Sequence, residues 1–570
     1  VHLGRRLLLG LILVLYLGLS LYQIDLPGLH YDEAFEAVPA LQLLLGRPVT
    51  AFRNSGLVIN GQIFPLMTQD YIGALNTYLS LPFIYFLGPA PVALRAMSIL
   101  IGAVTLWLAY GFVRQLTGSS RAGLAAAVLL AVEPTFIFWN RQGIFVTAIT
   151  ATIGLAAALC WLRWYKNRSS SSLVLGAFLF GLGLYAKFLF IWLIAALIGA
   201  VGLLYLAGWL LSGRTRPLVR PVRLPARQYL AAILAFFLGC WPLIVYNLQT
   251  GGTFLSISQN AATSYYGVNN LAIGANLGER LYQLFILLCG SQFWFLGKSV
   301  SNYLSPLLFA LTFMLVAGNI ITTRIRLPAF AGPSPKEAGP ALIALFPFLV
   351  IGLVIIASVG TVSALWVTHL ALLSPWPAIA MTVGGWAVLS TSPGRTKKRW
   401  APALIWCGWA LLVVTQLVST VRYHSALTKS GGLSSHSDTI YELSAWLNDH
   451  RAGPVVAMDW GLAAPVTYLT GGRVMPTEIF GYTWQPGPEL NRQLERFIAL
   501  PDTLYLWRSP DEIIFDRSSE FKALYRPLGL EETIEAAFYE KSGRPILGVT
   551  RLVRCGLEGI NPPDPSPLCP

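Results

Sequence analysis

Residues 7–36 read LLLGLILVLYLGLSLYQIDLPGLHYDEAFE: an apolar run from Leu7 to Ile24, a short loop, then His30, Tyr31, Asp32 and Glu33 in succession, with Glu36 one helical turn on. An apolar run of this length crosses a bilayer. Carboxylates set against hydrocarbon are costly and rare unless they pair, reach water or do chemistry. The run follows Arg5 and Arg6 and has no clear small-residue cleavage site, so it reads as a retained first span rather than a cleaved signal peptide.

The rest of the chain has the same character. Hydrophobic residues make up 55% of the 570 residues and charged residues 12%, against roughly 25% charged in soluble proteins. A large soluble enzyme is excluded, and a polytopic α-helical membrane protein is expected. The net charge of +14 is unevenly placed. Up to residue 421 there are 26 Lys and Arg against 8 Asp and Glu, a net +18; beyond it 14 stand against 18, a net −4. The basic excess therefore lies in the loops of the membrane part, where it sets orientation and meets anionic membrane lipids. Nucleic acid is not an expected partner.

Apolar runs long enough to span occur near 7–24, 91–113, 122–139, 143–162, 172–186, 188–211, 229–248, 303–323, 340–360, 366–390 and 401–420, about eleven spans. A further stretch, 71–88, is interrupted by Asn76, Thr77, Tyr78, Ser80 and Pro82. Charge parity decides its status. If 71–88 does not cross, 19 basic residues of the N-terminus and loops face the cytoplasm and seven lie outside: Arg47, Arg53, Arg95, Arg141, Lys187, Arg280 and Lys298. If it crosses, the bias is reversed, against the positive-inside rule. The stretch is therefore expected to lie at the outer face as an interfacial or re-entrant element. The first loop (25–90), the loop 249–301 and the C-terminal part then all face outward from the cell (inner) membrane, with the N-terminus cytoplasmic.

From about 434 the composition turns mixed. Ile440, Leu443, Trp446 and Leu447 recur at helical spacing after Thr439 and Glu442, which form a capping-box pattern, and Gly453-Pro454 ends the run. Pro454 to Met458, Thr503 to Trp507 and Ile546 to Val553 read as strands. The expectation is a transmembrane domain over 1–421 and a small extracytoplasmic α/β domain over 434–570. Cys160, Cys240, Cys289 and Cys407 read as packing residues, and Cys555 and Cys569 leave room for one tail disulfide. No cysteine or histidine spacing suits a metal, so none is assigned, though a divalent cation is left open.

The chemistry-bearing candidates gather at the outer side. Neighbours on a helix differ by about 100°, so Asp32 and Glu33 cannot share a face, whereas Asp32 and Glu36 can. One acid of the adjacent pair is expected to point into a cavity while the other caps or anchors. Lys187, in Gly181 to Lys187 between two apolar runs, either snorkels to the headgroups or holds a lipid phosphate. Arg141 and Arg95 face the same choice. Glu133, inside its span before Pro134, must be neutral, paired or line a polar cavity. Asp70 is a second acid facing Asp32 or a helix cap, and His369 sits near an outer span end ahead of Pro375 and Pro377.

These residues resemble those of the C-superfamily (GT-C) polytopic glycosyltransferases, specifically the family 39-like group of protein mannosyltransferases and aminoarabinose transferases. The likeness rests on His30-Tyr31-Asp32-Glu33 after the first span, Gly88 to Arg95, Pro134 to Arg141, Gly183 to Phe188, Trp241-Pro242 to Asn247 before Gly251-Gly252, and His369 to Pro377. It implies an inverting transfer of a sugar from a polyprenyl-phosphate carrier to an extracytoplasmic protein, lipid or cell-envelope glycan. It also implies that Asp32, with Glu33 beside it, is the catalytic base. Lys187, Arg141 and Arg95 would meet the phosphate, and Tyr31, Asp70, Glu133 and His369 would join the substrate site. Two departures stand out: Gln142 to Thr147 contains no acid where many relatives have one, and 62–82 lacks a Lys-Pro-Pro or His-Pro-Pro signature. The competing class is a transporter or flippase of a lipid-linked glycan. Such proteins commonly show paired half-repeats, which are not visible in this chain.

Overall fold

The computed structural model describes residues 2–211, 224–325, 335–390, 400–482 and 486–554; Cys555 and Cys569 lie outside the described residues. In hydrocarbon every backbone group must be satisfied internally, and the apolar runs accordingly form helices. Six are long and apolar enough to span: Leu3–Leu21, Pro91–Thr117, Phe188–Gly208, Ala226–Thr250, Leu304–Ile321 and Pro402–Ser430. Two expected spans are broken. The run 122–139 becomes Ser120–Ala131 and Pro134–Arg141, bent by 62°, and 366–390 becomes Val367–Leu373 and Trp376–Ser390, bent by 43°. Both breaks fall beside prolines, which cannot donate to the helix ladder.

Counting each bent pair once gives up to eight spans by length and composition among the described residues, against the eleven expected. The other three expected spans correspond to the helices Ile149–Asn167, Ser170–Ala186 and Pro335–Ala357. Small residues let some of these helices touch backbone to backbone. A Cβ on Gly181 would stand 2.0 Å from the Phe236 carbonyl oxygen and one on Gly239 2.2 Å from that of Phe178. Only glycine admits this crossing of Ser170–Ala186 with Ala226–Thr250, and that crossing fixes the helix end that carries Lys187.

The first loop folds into the helix Tyr31–Leu44, two hairpins and the helix Leu75–Leu87. Strand β1 (Gly56–Ile59) pairs antiparallel with β2 (Gln62–Pro65) through Asn60-Gly61, whose φ values of 51° and 77° suit a tight hairpin turn. β3 (Met67–Gln69) pairs with β4 (Ile72–Gly73). At 13 residues, Leu75–Leu87 is about 20 Å long, too short to cross a bilayer. Asp70 does not cap it: the N-cap is Ala74, without a side-chain bond.

The C-terminal unit is built on a five-stranded sheet, β5 (Val455–Ala457), β6 (Thr477–Glu478), β7 (Leu504–Arg508), β8 (Leu530–Tyr539) and β9 (Pro545–Arg554), in the order β6-β5-β7-β9-β8. Alternate strand residues feed opposite faces. Leu504 and Leu506 pack with Leu443, Leu447 and Val466, while Tyr505 packs with Leu494 and Phe521. The helix Thr439–His450 forms, but without the expected capping box: Asp438 is the N-cap, and the Thr439 hydroxyl donates to the Tyr539 carbonyl at 3.2 Å. This unit rests on the first loop. Ala464 and Tyr468 share a core with Ala34, Ala37 and Leu41, and the Gly28 amide donates to the His436 carbonyl at 2.7 Å.

Candidate active site

The helix Tyr31–Leu44 is started by an unusual cap. The Asp32 amide donates to His30 Nδ1 at 3.1 Å, and the His30 amide donates to Glu33 Oε1 at 3.3 Å, a capping box with histidine in place of the usual serine or threonine. Burial and the charge of Arg508 hold the His30 pKa down at about 3, so the ring is neutral and its 4.0 Å contact with Asp32 is not an ion pair at neutral pH.

The cap folds Glu33 inward. Its carboxylate accepts from Arg95 Nε at 3.0 Å and Nη2 at 3.1 Å, and from Gln142 Nε2 at 2.8 Å. Arg95 Nη1 also donates to the Ile24 and Pro27 carbonyls, both at 2.9 Å. Both side chains of the pair are 1% exposed. Glu33 and Arg95, one expected beside the base and the other at the phosphate, are instead a saturated tie between the first loop and the second span. Arg141 holds backbone carbonyls as well, while its Nε has no hydrogen-bond partner. It is buried, and its Nη2 donates to the Gln23 and Leu26 carbonyls at 2.5 and 2.9 Å.

About 100° around the helix, Asp32 has a different setting. Its side chain is 38% exposed, and among the described residues its carboxylate accepts no side-chain or backbone hydrogen bond. Burial raises its pKa to about 6, the Lys187 charge pulls it down, and Glu33 pushes it up. Glu36, one turn later, is buried and accepts from Asn76 Nδ2 at 2.7 Å. Burial raises Glu36 to about 8, opposed by the Asn76 hydrogen bond and by Lys187. Two acids on one helix face thus share a single lysine.

Lys187 is delivered by the first loop and the membrane part together. It caps the helix Ser170–Ala186 in extended conformation, bridges Ile72 of β4 in antiparallel register, and the next amide, Phe188, donates to the Tyr71 carbonyl at 2.8 Å. Gly73 permits this approach: a Cβ there would lie 2.3 Å from the Tyr185 carbonyl oxygen. The buried ammonium has one long contact, 3.5 Å to Thr147 Oγ1. Its charge acts on Asp32, Glu36 and His369. His369 Nε2 lies 3.4 Å from Ser363 Oγ, and its Nδ1 has no partner. Beyond it Arg280 is fully buried over the Trp192 ring; Nε donates to the Ser358 carbonyl at 3.0 Å and Nη1 to Gln283 Oε1 at 2.6 Å and the Trp366 carbonyl at 3.0 Å, while Nη2 has no partner. Sequence reasoning counted Arg280 only as an outer basic residue. Its burial without a paired carboxylate has no local sequence signal.

The remaining candidates divide. Asp70 faces away from Asp32, ion-paired with Arg53 at 2.7 Å and accepting from the Tyr246 hydroxyl at 2.5 Å. The neighbouring Tyr71 takes its place, within electrostatic reach of Asp32, Glu36 and Tyr266. Glu133 is buried at the N-cap position of the helix Pro134–Arg141 and makes no side-chain cap bond. Tyr31 turns toward the C-terminal unit: its hydroxyl is 2.7 Å from that of Tyr482 and 3.4 Å from Glu478 Oε2. Among the described residues no group of three or more His, Cys, Asp or Glu could hold a metal ion.

Residues 77–246 match the model of the dolichyl-phosphate-mannose-protein mannosyltransferase family. Comparison with curated proteins finds no match. Two crystal structures of ArnT from Cupriavidus metallidurans share the fold over nearly the whole chain. The form bound to undecaprenyl phosphate is 11% identical with a TM-score of 0.57, and the apo form 12% identical with a TM-score of 0.58. Each alignment covers 95% of this chain and 97% of the other. The chain thus has the fold of a multi-pass membrane protein like these two ArnT structures, and its segment 77–246 is similar to the mannosyltransferase family's model.

Proposed function

We propose that this chain moves a sugar from a polyprenyl-phosphate donor to an acceptor hydroxyl outside the cytoplasm, with inversion and with Asp32 as general base. The observation that carries this reading is the open pairing of Asp32 with Lys187: a half-buried carboxylate that accepts no hydrogen bond among the described residues, within electrostatic reach of a buried ammonium with one long contact. The family whose model matches is described by a dolichyl-phosphate-mannose donor, and one structural neighbour binds undecaprenyl phosphate.

In the step, Asp32 takes the proton of the acceptor hydroxyl as its oxygen bonds to the anomeric carbon. The bond from that carbon to the phosphate oxygen breaks, and its electron pair leaves with the lipid phosphate. One direct displacement inverts the anomeric carbon. The leaving phosphate gains negative charge, and the open donors of Lys187 and Arg280, flanking His369, are matched to it. Glu36, raised to about 8 and so largely protonated at neutral pH, is the other acid that faces Lys187 from this helix. The topology that fits is eleven spans with a cytoplasmic N-terminus, a transmembrane domain over 1–421 and an outer α/β domain over 434–570, in the cell (inner) membrane.

Purified protein mixed with a radiolabelled polyprenyl-phosphate sugar and envelope-derived acceptors should release polyprenyl phosphate and form a glycoside of inverted configuration. Absence of donor consumption across a panel of lipid-linked sugars, or a retained configuration, contradicts the reading.

A further inference from the structure

Resting on the transferase reading above, we propose that the C-terminal unit supplies an acceptor subsite built on Glu478 and Tyr482, and that the acceptor it takes is a saccharide. Three segments far apart in sequence converge on this point. Tyr31 comes from the first loop, Tyr265 and Tyr266 from the loop 249–301, and Glu478 with Tyr482 from the edge strand β6 and the turn after it. Tyr482 donates to Glu478 Oε2, Tyr31 is 2.7 Å from the Tyr482 hydroxyl, and Tyr265 donates to the Tyr482 carbonyl. The turn holds Tyr482 at φ 53°, a region an aromatic residue rarely occupies. Such strain persists where surroundings enforce it and concentrates at functional sites.

The chemistry of the cluster selects the ligand. Glu478 Oε1 has no hydrogen-bond partner, a costly condition for a buried carboxylate oxygen. The hydrogen bonds to its other oxygen come from two phenols, and among the described residues no cation pairs with it. An acid set among phenols repels a phosphorylated or carboxylated acceptor and suits a hydroxyl donor. Beside it runs a wall of half-exposed rings: Tyr482 at 42%, Tyr265 and Tyr266 at 48% each, and Trp366 at 52%. Tyr265 and Tyr266 are 4.9 Å apart and Tyr266 and Trp366 6.1 Å apart, both edge to face. Exposed aromatic residues also occur as belts in the headgroup region. Here Tyr31, the neighbour of Asp32 on its helix, is 2.7 Å from the Tyr482 hydroxyl, so this end of the wall adjoins the segment that carries the proposed base. Ring faces carry partial negative charge and receive the polarised C–H faces of a sugar, while carboxylate and phenols take its hydroxyls.

The test uses the purified full chain, the radiolabelled polyprenyl-phosphate sugar, and two acceptor sets: linear oligosaccharides and serine- or threonine-containing peptides. Wild type should glycosylate the oligosaccharides. Glu478→Gln and Tyr482→Phe should each raise the oligosaccharide KM at least fivefold and lower the ratio of transfer to donor hydrolysis by a similar factor. That ratio is unaffected by a loss of folded protein, and Tyr482→Phe, which removes one oxygen, carries the test should Glu478→Gln fail to fold. Transfer to peptides alone, or an oligosaccharide KM within twofold of wild type in both variants, overturns the subsite while donor cleavage leaves the transferase reading standing. A wild type that never cleaves donor overturns both.

Discussion

Two acid–cation pairs start from adjacent residues of one helix and end in opposite states. Glu33 and Arg95 are 1% exposed, joined by two hydrogen bonds, and further satisfied by Gln142 and backbone carbonyls. Asp32 and Lys187 interact only through their field; the carboxylate is open and the ammonium holds one long contact. Charge and burial alone do not separate a fastening from a working site. The second pair differs in its unfilled hydrogen-bonding capacity, which leaves both groups free to meet a ligand.

Removing one member of the closed pair should therefore cost most. Arg95→Met leaves Glu33 buried and unpaired and should destabilise the fold by about 3–5 kcal/mol, read as a lower thermal unfolding midpoint in detergent. Lys187→Met should do the reverse, leaving the midpoint nearly unchanged while lowering transfer by about 10²–10³-fold, the usual loss of one group stabilising developing charge.

The open pair also sets a pH dependence. With its pKa raised to about 6, Asp32 loses its capacity to accept a proton as pH falls through 6, so transfer should drop about tenfold per unit below that point. Lys187 depresses that pKa, so the residual activity of Lys187→Met should show its acid limb at higher pH than wild type. An unmoved limb would separate the two groups. The smallest effect is expected at the cap, where His30→Ala should cost about 0.5–2 kcal/mol of stability.

Much of this contrast was legible before the structure. Apolar length marked the membrane part, and the 100° step between neighbours separated Asp32 from Glu33. Periodicity missed the hairpin β1-β2, although Asn60-Gly61 is a recognised turn signal, and missed β6 and β8. It read unbroken runs where Pro134, Pro375 and Pro377 sit at bends. The site was half visible. Asp32 and Lys187 are each conspicuous in sequence, whereas the sequence does not show that, of the two turn residues between β3 and β4, Asp70 pairs with Arg53 while Tyr71 lies within electrostatic reach of Asp32. Arg280 and the Glu478–Tyr482 pair depend on long-range packing that no local pattern encodes.

The most direct test of the central claim is transfer by purified Asp32→Asn, which preserves side-chain volume and removes the charge. The account predicts an unfolding midpoint like that of wild type with transfer reduced more than 100-fold. Transfer within twofold of wild type by the folded variant would contradict it.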